Sequence, residues 1–246
     1  MKSFFRIFYK SRGGFLERSA RSKISKLKDG EYRLPYQIPY VAQYASAERA
    51  EEFVRNEDLL KTDARWLDFG ADSPDDYSFW ARRICGIACF QMILLSLRRP
   101  TSKLVELGKQ AMAAGCYLPD PQNPNRLIGL LHKPFLKFVK KFGLSGRLFW
   151  YVGPNVIARE ILENNFVVAS VSNQIRHSGA RPEDKTGHLV LVHGFRIRNG
   201  EISGFYIHNP SGFYNESQEN HFVPMGDFTN CFSGRIIVLS SNHGRI

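Results

Sequence analysis

Cys85 stands where a polar stretch ends and an apolar run begins, Cys85-Gly-Ile-Ala-Cys-Phe-Gln-Met-Ile-Leu-Leu-Ser-Leu97, stopped by Arg98-Arg99-Pro100. A segment apolar on nearly all sides reads as a helix buried inside a domain. A thiol at the start of such a helix meets unpaired N–H groups and the positive end of the helix dipole, which lower its pKa and favour the nucleophilic thiolate. Gly86 removes side-chain bulk beside it, so a substrate carbonyl can approach the backbone N–H groups. Cys89, one turn further in, reads as a core thiol. The four cysteines, Cys85, Cys89, Cys116 and Cys231, show neither CxxC pairing nor dense spacing. A disulfide framework or zinc site is therefore not expected, and neither is a cofactor.

A cysteine nucleophile needs a histidine base held by a third group. Asn199-Gly200 between two Val/Ile/Phe/Tyr-rich runs is a strong signal for a two-residue hairpin turn. With that turn, Arg198 faces Glu201, Val190 faces Asn209 and Leu191 faces His208. Side chains alternate along a strand, so His188 and Val190 share a face with Asn209, and His188 is its diagonal neighbour. His193 and His208 fall together on the opposite face. A bulge would shift the register by one residue and transfer the role of base to His193. Gly187 leaves room for the His188 ring.

The elements that must position these residues divide by period. Ser46 to Leu60 predicts a helix, 67–78 a loop, and further helices fall at 102–114, 134–142 and 154–164. Arg147–Val152, Phe166–Ser172, His188–Arg198, Ile202–Asn209 and Arg235–Leu239 predict strands. Helices first and antiparallel strands second make an α+β domain over 31–246, its helical half carrying Cys85 packed on a sheet carrying His188 and Asn209.

The chain has 246 residues and a net charge of +11. Residues 1–29 hold nine Lys/Arg against Glu17 and Asp29, a net +7. Residues 1–30 therefore predict a basic tail, poorly ordered or at most partly helical, with Gly13-Gly14 as a flexible joint. Phe4, Phe5, Ile7, Phe8 and Tyr9 among its Lys and Arg suit a helix lying on an anionic membrane surface. No RNP, zinc-finger or helix-turn-helix pattern points to nucleic acid, and no nucleic-acid partner is expected. No apolar run reaches the roughly 20 residues of a membrane-spanning helix, and the N-terminus lacks a secretory apolar core. The expected location is cytoplasmic, peripheral to a membrane if the tail binds one.

Three blocks, Arg83-Ile-Cys85-Gly-Ile-Ala-Cys-Phe-Gln-Met-Ile-Leu, Thr186-Gly-His188-Leu-Val-Leu-Val and Tyr206-Ile-His-Asn209-Pro-Ser-Gly, resemble in order the signature blocks of the papain-like bacteriocin-processing cysteine peptidases. These are the double-glycine leader peptidases (cysteine peptidase family 39) and their stand-alone relatives, and the resemblance spans roughly residues 35–240. It implies a papain-like fold with Cys85 as nucleophile, His188 as base and Asn209 orienting the imidazole. Asn209 departs from the family's usual Asp, although a neutral amide can still orient a ring. The family's oxyanion-hole Gln is missing just before Cys85. The candidate is Gln43 in Ile38-Pro-Tyr-Val-Ala-Gln43-Tyr, which would make Glu51–Tyr77 an insertion. The transporter that usually follows such a domain does not, so a stand-alone protein is expected and its peptide or protein substrate need not be a bacteriocin precursor. The implied activity is peptide or amide cleavage through a Cys acyl-enzyme. The alternatives are an acyl or amide transferase with the same site and a catalytically idle module that binds a peptide.

Overall fold

The computed structural model describes residues 2–241, and the side chains of all of these except 2–8 and 124–126. Its frame is the hairpin of β6 (Gly187–Arg198) and β7 (Glu201–His208). Asn199 and Gly200 both take positive φ, 53° and 74°, the pair of conformations whose twist suits a tight antiparallel turn. The Asp29 carboxylate accepts the N–H groups of Asn199 (2.8 Å) and Gly200 (3.0 Å). Those two bonds hold its pKa below the usual carboxylate value.

The register starts as expected, Arg198 opposite Glu201 and Ile197 opposite Ile202. It slips between Arg196 and Ile197, where Ser203 is the extra residue, and slips back between Val192 and Gly194, where His193 is extra. The two bulges cancel. Leu191 therefore faces His208, and the face assignments at the far end of the hairpin survive.

Around this hairpin the sheet is antiparallel, in the order β4 (Leu144–Phe149), β9 (Phe232–Ser241), β5 (Phe166–Ser172), β6, β7 and β8 (His221–Pro224). β1 (Gly30–Arg33) pairs with the second half of β6. A separate two-stranded ribbon is formed by β2 (Leu118–Asp120) and β3 (Asn123–Ile128). The helices are α1 (Lys2–Ile24), α2 (Ala50–Arg55), α3 (Pro74–Ala81), α4 (Cys85–Ser96), α5 (Leu104–Ala113), α6 (His132–Phe138), α7 (Pro154–Leu162) and α8 (Met225–Cys231). This is the α+β layout expected, with α4 buried from Gly86 to Leu94 and packed on the sheet.

Three segments differ from the expectation. Residues 67–78 contain the start of α3, where Pro74 occupies the first turn and the Ser73 hydroxyl accepts the Asp76 N–H (3.1 Å). The same Ser-Pro-Asp-Asp letters also suit a turn, which is why a loop was expected. Ser46 to Leu60 is broken into two 3₁₀ segments flanking α2.

The largest difference is at the N-terminus: residues expected to be poorly ordered or at most partly helical form α1. Among the described side chains of α1, Gly13, Ala20 and Ile24 are buried, with Leu16 and Glu17 half-buried on the same helical face. A Cβ on Gly13 would lie 2.1 Å from the Tyr151 carbonyl oxygen, so this glycine permits close approach rather than acting as a joint. Glu17 accepts the backbone N–H groups of Asn155 (3.1 Å) and Val156 (3.3 Å) at the start of α7. The two acids of an otherwise basic segment, Glu17 and Asp29, are thus both used as caps on other elements. The side chains of Phe4, Phe5, Ile7 and Phe8, read as a membrane-facing set, lie outside the described residues. No single helix of the described chain is long and apolar enough to cross a membrane.

Candidate active site

Cys85 is the first residue of α4, and the helix begins without a side-chain cap. The first intrahelical bonds run from Ile87 and Ala88 to the Ile84 carbonyl, both 2.9 Å, which leaves the N–H groups of Cys85 and Gly86 ahead of them. The sulfur lies against those two N–H groups and that of Leu189 on β6. These donors favour a thiolate, but burial outweighs them and pushes the Cys85 thiol above its ordinary value. The lowered pKa expected from the helix start is therefore not what the fold delivers, because desolvation of the half-buried sulfur is the larger effect. A Cβ on Gly86 would sit 2.7 Å from side-chain atoms of both Leu130 and Leu189, so Gly86 is required for packing under the cleft. Cys89 is fully buried, its thiol facing the Leu189 carbonyl at 3.5 Å, and burial raises its pKa well above the ordinary value. All four cysteines are free.

His188 is the second residue of β6, after Gly187, which takes φ 95° with open space where a Cβ would be. The glycine thus serves a left-handed backbone, not the clearance for the ring that its position suggested. His188 Nε2 lies 2.7 Å from Asn209 Oδ1, and both residues are buried. The Ser211 N–H also donates to Asn209 Oδ1 (3.2 Å), which identifies that atom as the acceptor and Nε2 as the protonated ring nitrogen. Nδ1 is left as the basic nitrogen. Asn209 Nδ2 is buried without a hydrogen-bond partner. Burial holds the His188 imidazole down at about 4, opposed by the Asn209 bond and aided by the Arg176 charge.

Two residues that the sequence did not single out support this pair. Ser211 Oγ lies 3.2 Å from His188 Nε2, and Arg176 Nη2 donates to Ser211 Oγ at 2.9 Å. Arg176 is itself buried, and its guanidinium lies 5.5 Å from the Phe213 ring centroid. A Ser two residues after Asn209 was visible in the sequence, but the approach of Arg176 depends on where the 3₁₀ turn after β5, capped by Ser172, sets its side chain.

Gln43 reaches this neighbourhood because the segment after it folds back on itself. The Asp63 carboxylate accepts the Ser46 N–H (3.1 Å) and hydroxyl (2.7 Å) and the Tyr77 hydroxyl, while Tyr77 Oη accepts the Ala45 N–H. Gln43–Ser46 therefore lies beside Tyr77–Ala81. Gln43 Nε2 donates to the Ala81 carbonyl (2.8 Å), its backbone N–H to the Pro210 carbonyl (2.8 Å), and its buried Oε1 has no partner. It bridges the approach to Cys85 and the Asn209 loop without lining the cleft.

Cys85 and His188 line one cleft of ≈ 1210 Å³, walled by Leu127, Leu130 and Leu148 on its apolar side. A thiol beside three N–H groups and a neutral imidazole oriented by an amide form an arrangement suited to thiol-based hydrolytic chemistry in general terms. Among the described residues, no group of three His, Cys, Asp or Glu side chains is placed to hold a metal ion.

No family model and no curated protein matches the chain. Among solved structures it is similar to a double glycine motif protease from an AMS/PCAT transporter, in complex with the leader peptide, at 16% identity and a TM-score of 0.40, covering 64% of this chain and 84% of that one. It is also similar to PepW from Lactobacillus rhamnosis, at 11% identity and a TM-score of 0.27, covering 92% of this chain and 76% of that one.

Proposed function

We propose that this chain is a cysteine peptidase or amidase that cleaves a peptide or amide bond through an acyl-enzyme on Cys85. The observation that carries it is the 2.7 Å contact of His188 Nε2 with Asn209 Oδ1, which leaves Nδ1 basic in a ring that lines the cleft with Cys85. The Cys85 thiol gives its proton to His188 Nδ1 as the sulfur attacks the substrate carbonyl. The oxyanion is held by the backbone N–H groups of Cys85 and Gly86 ahead of the first turn of α4, since Gln43 is spent on the Ala81 carbonyl and lies off the cleft. His188 then returns the proton to the leaving amine as the C–N bond breaks. Water, deprotonated by His188, hydrolyses the thioester and restores the thiol.

Mass spectrometry of cell-derived peptides incubated with wild type and Cys85→Ala tests this. New termini made only by the wild type are the expected result. Amine adducts in place of free acids would instead make the chain a transferase. An absence of products, with no preferential alkylation of Cys85 over Cys89, Cys116 and Cys231, would leave an idle peptide-binding module.

A further inference from the structure

The cleft continues past Cys85 over a floor built by the strand ladder. Leu189 on β6 pairs with Ser170 on β5, and Ser170 pairs with Arg235 on β9, so the three lie in one row across the sheet. At about 4.8 Å between strands, the Arg235 backbone is about 10 Å from Leu189, whose N–H meets the Cys85 thiol. The Arg235 guanidinium lies 5.0 Å from the Trp150 ring centroid, and Trp150 meets His132 at 6.0 Å. Lys133 is exposed beside them, and all four residues line the cleft. Among the described residues no carboxylate forms a salt bridge with Arg235 or Lys133. The acid among the described lining residues, Glu57, is paired with Arg82 at 3.1 Å. Burial and the Arg235 charge lower the His132 pKa, so the positive charge at this end of the cleft rests on Arg235 and Lys133.

Two cations without carboxylate partners beside an indole face fit an amphipathic acid: a carboxylate on the cations and a methylene stem on the ring. The leucines interleaved with the cations suit a peptide better than a phosphate polymer, which calls for a continuous basic track. We propose that this end of the cleft selects peptides with a Glu or Asp side chain about two to three residues from the bond cleaved at Cys85, a spacing set by ~3.3 Å per extended residue. The selection rests on the hydrolase reading of the same cleft.

The test uses one synthetic peptide series, identical except for Glu, Gln or Lys at each of four positions flanking the cleavage point. Binding is read by fluorescence anisotropy on the full-length Cys85→Ala chain, and cleavage by mass spectrometry on the wild type. Glu is expected to be favoured over Gln by about tenfold at one or two positions, with Lys worst, as one partly exposed charge-assisted contact supplies. Arg235→Gln and, separately, the surface variant Lys133→Gln should cut that ratio to about twofold while neutral peptides bind and are cleaved as before. The Glu-to-Lys comparison on unaltered protein keeps the test valid if Arg235→Gln fails to fold. Glu-selective binding without cleavage by the wild type would sustain the selection and defeat the hydrolase reading. Cleavage or binding indifferent to Glu, a preference only for a free C-terminal carboxylate, or a preference that survives both variants would overturn the selection and leave the hydrolase reading intact.

Discussion

His188 and Asn209 lie on one face of the β6–β7 hairpin, and His193 and His208 on the other. Both pairs are buried, and burial lowers all three imidazoles, to about 4 for His188 and His208 and about 3 for His193. They differ in what their nitrogens do. His208 accepts the Asn220 N–H at Nδ1 (3.1 Å), and its protonated Nε2 meets the Ile38 carbonyl (3.2 Å), so both nitrogens are committed. His193 stacks on it with ring centroids 4.4 Å apart, its Nε2 buried without a hydrogen-bond partner. Neither lines the cleft. His188 instead commits only Nε2, to an amide that Ser211 holds in place. A depressed pKa thus marks burial at both sites, and the uncommitted nitrogen of a ring that shares its cleft with a thiol marks the candidate for chemistry at one of them.

The comparison breaks most visibly in alanine variants. Cys85→Ala and His188→Ala should each lower kcat/KM by about 10⁴ or more, since they act as one unit. Asn209→Ala should cost about 10², because the ring keeps its base but loses its orientation. His193→Ala should leave turnover within about twofold while lowering Tm. An active His188→Ala with an inactive His193→Ala would reverse the assignment.

The pH dependence separates the two pairs next. With the Cys85 thiol raised and His188 near 4, the resting site holds thiol and neutral imidazole. The acid limb of kcat/KM should therefore fall near pH 4, where His188 becomes protonated, instead of near 6.5. A limb near 6.5 would mean that substrate-free burial does not set the base. Stability follows from all three rings. Unfolded histidines titrate near 6.5 and these folded ones near 3 to 4, so between those values the unfolded chain binds more protons. Acidification from pH 6.5 to 4 should remove stability on the order of several kcal/mol, measurable by urea titration. The His193→Ala variant should lose less over that interval, since one of the three rings is gone.

The smallest effect sharpens the geometry. Gly187→Ala meets no neighbour but must adopt φ 95°, which costs about 1–3 kcal/mol. Its kcat/KM should fall less than that of Asn209→Ala, by chemical denaturation and assay on one preparation. A larger loss would place Gly187 in the path of the substrate.

Local letters settled much of this. The all-round apolar run made α4 an interior helix, and Asn199-Gly200 with period-2 alternation set the hairpin, from which the contact of His188 with Asn209 and of His193 with His208 could be derived. That derivation held at the far end only because the bulges at Ser203 and His193 cancel, and no pattern of polar and apolar residues announces a pair of compensating insertions. α1 was missed because its buried face is Gly13, Ala20 and Ile24 in a segment dominated by Lys and Arg, so close approach and the Glu17 cap hold it where hydrophobic contrast is weak. Arg176 behind Ser211, Gln43 beside Ala81 and Arg235 along the cleft floor all arrive by non-local packing. Periodicity reports which face of an element is buried, whereas strand order and loop return decide what that face meets, and only the tertiary structure carries that information.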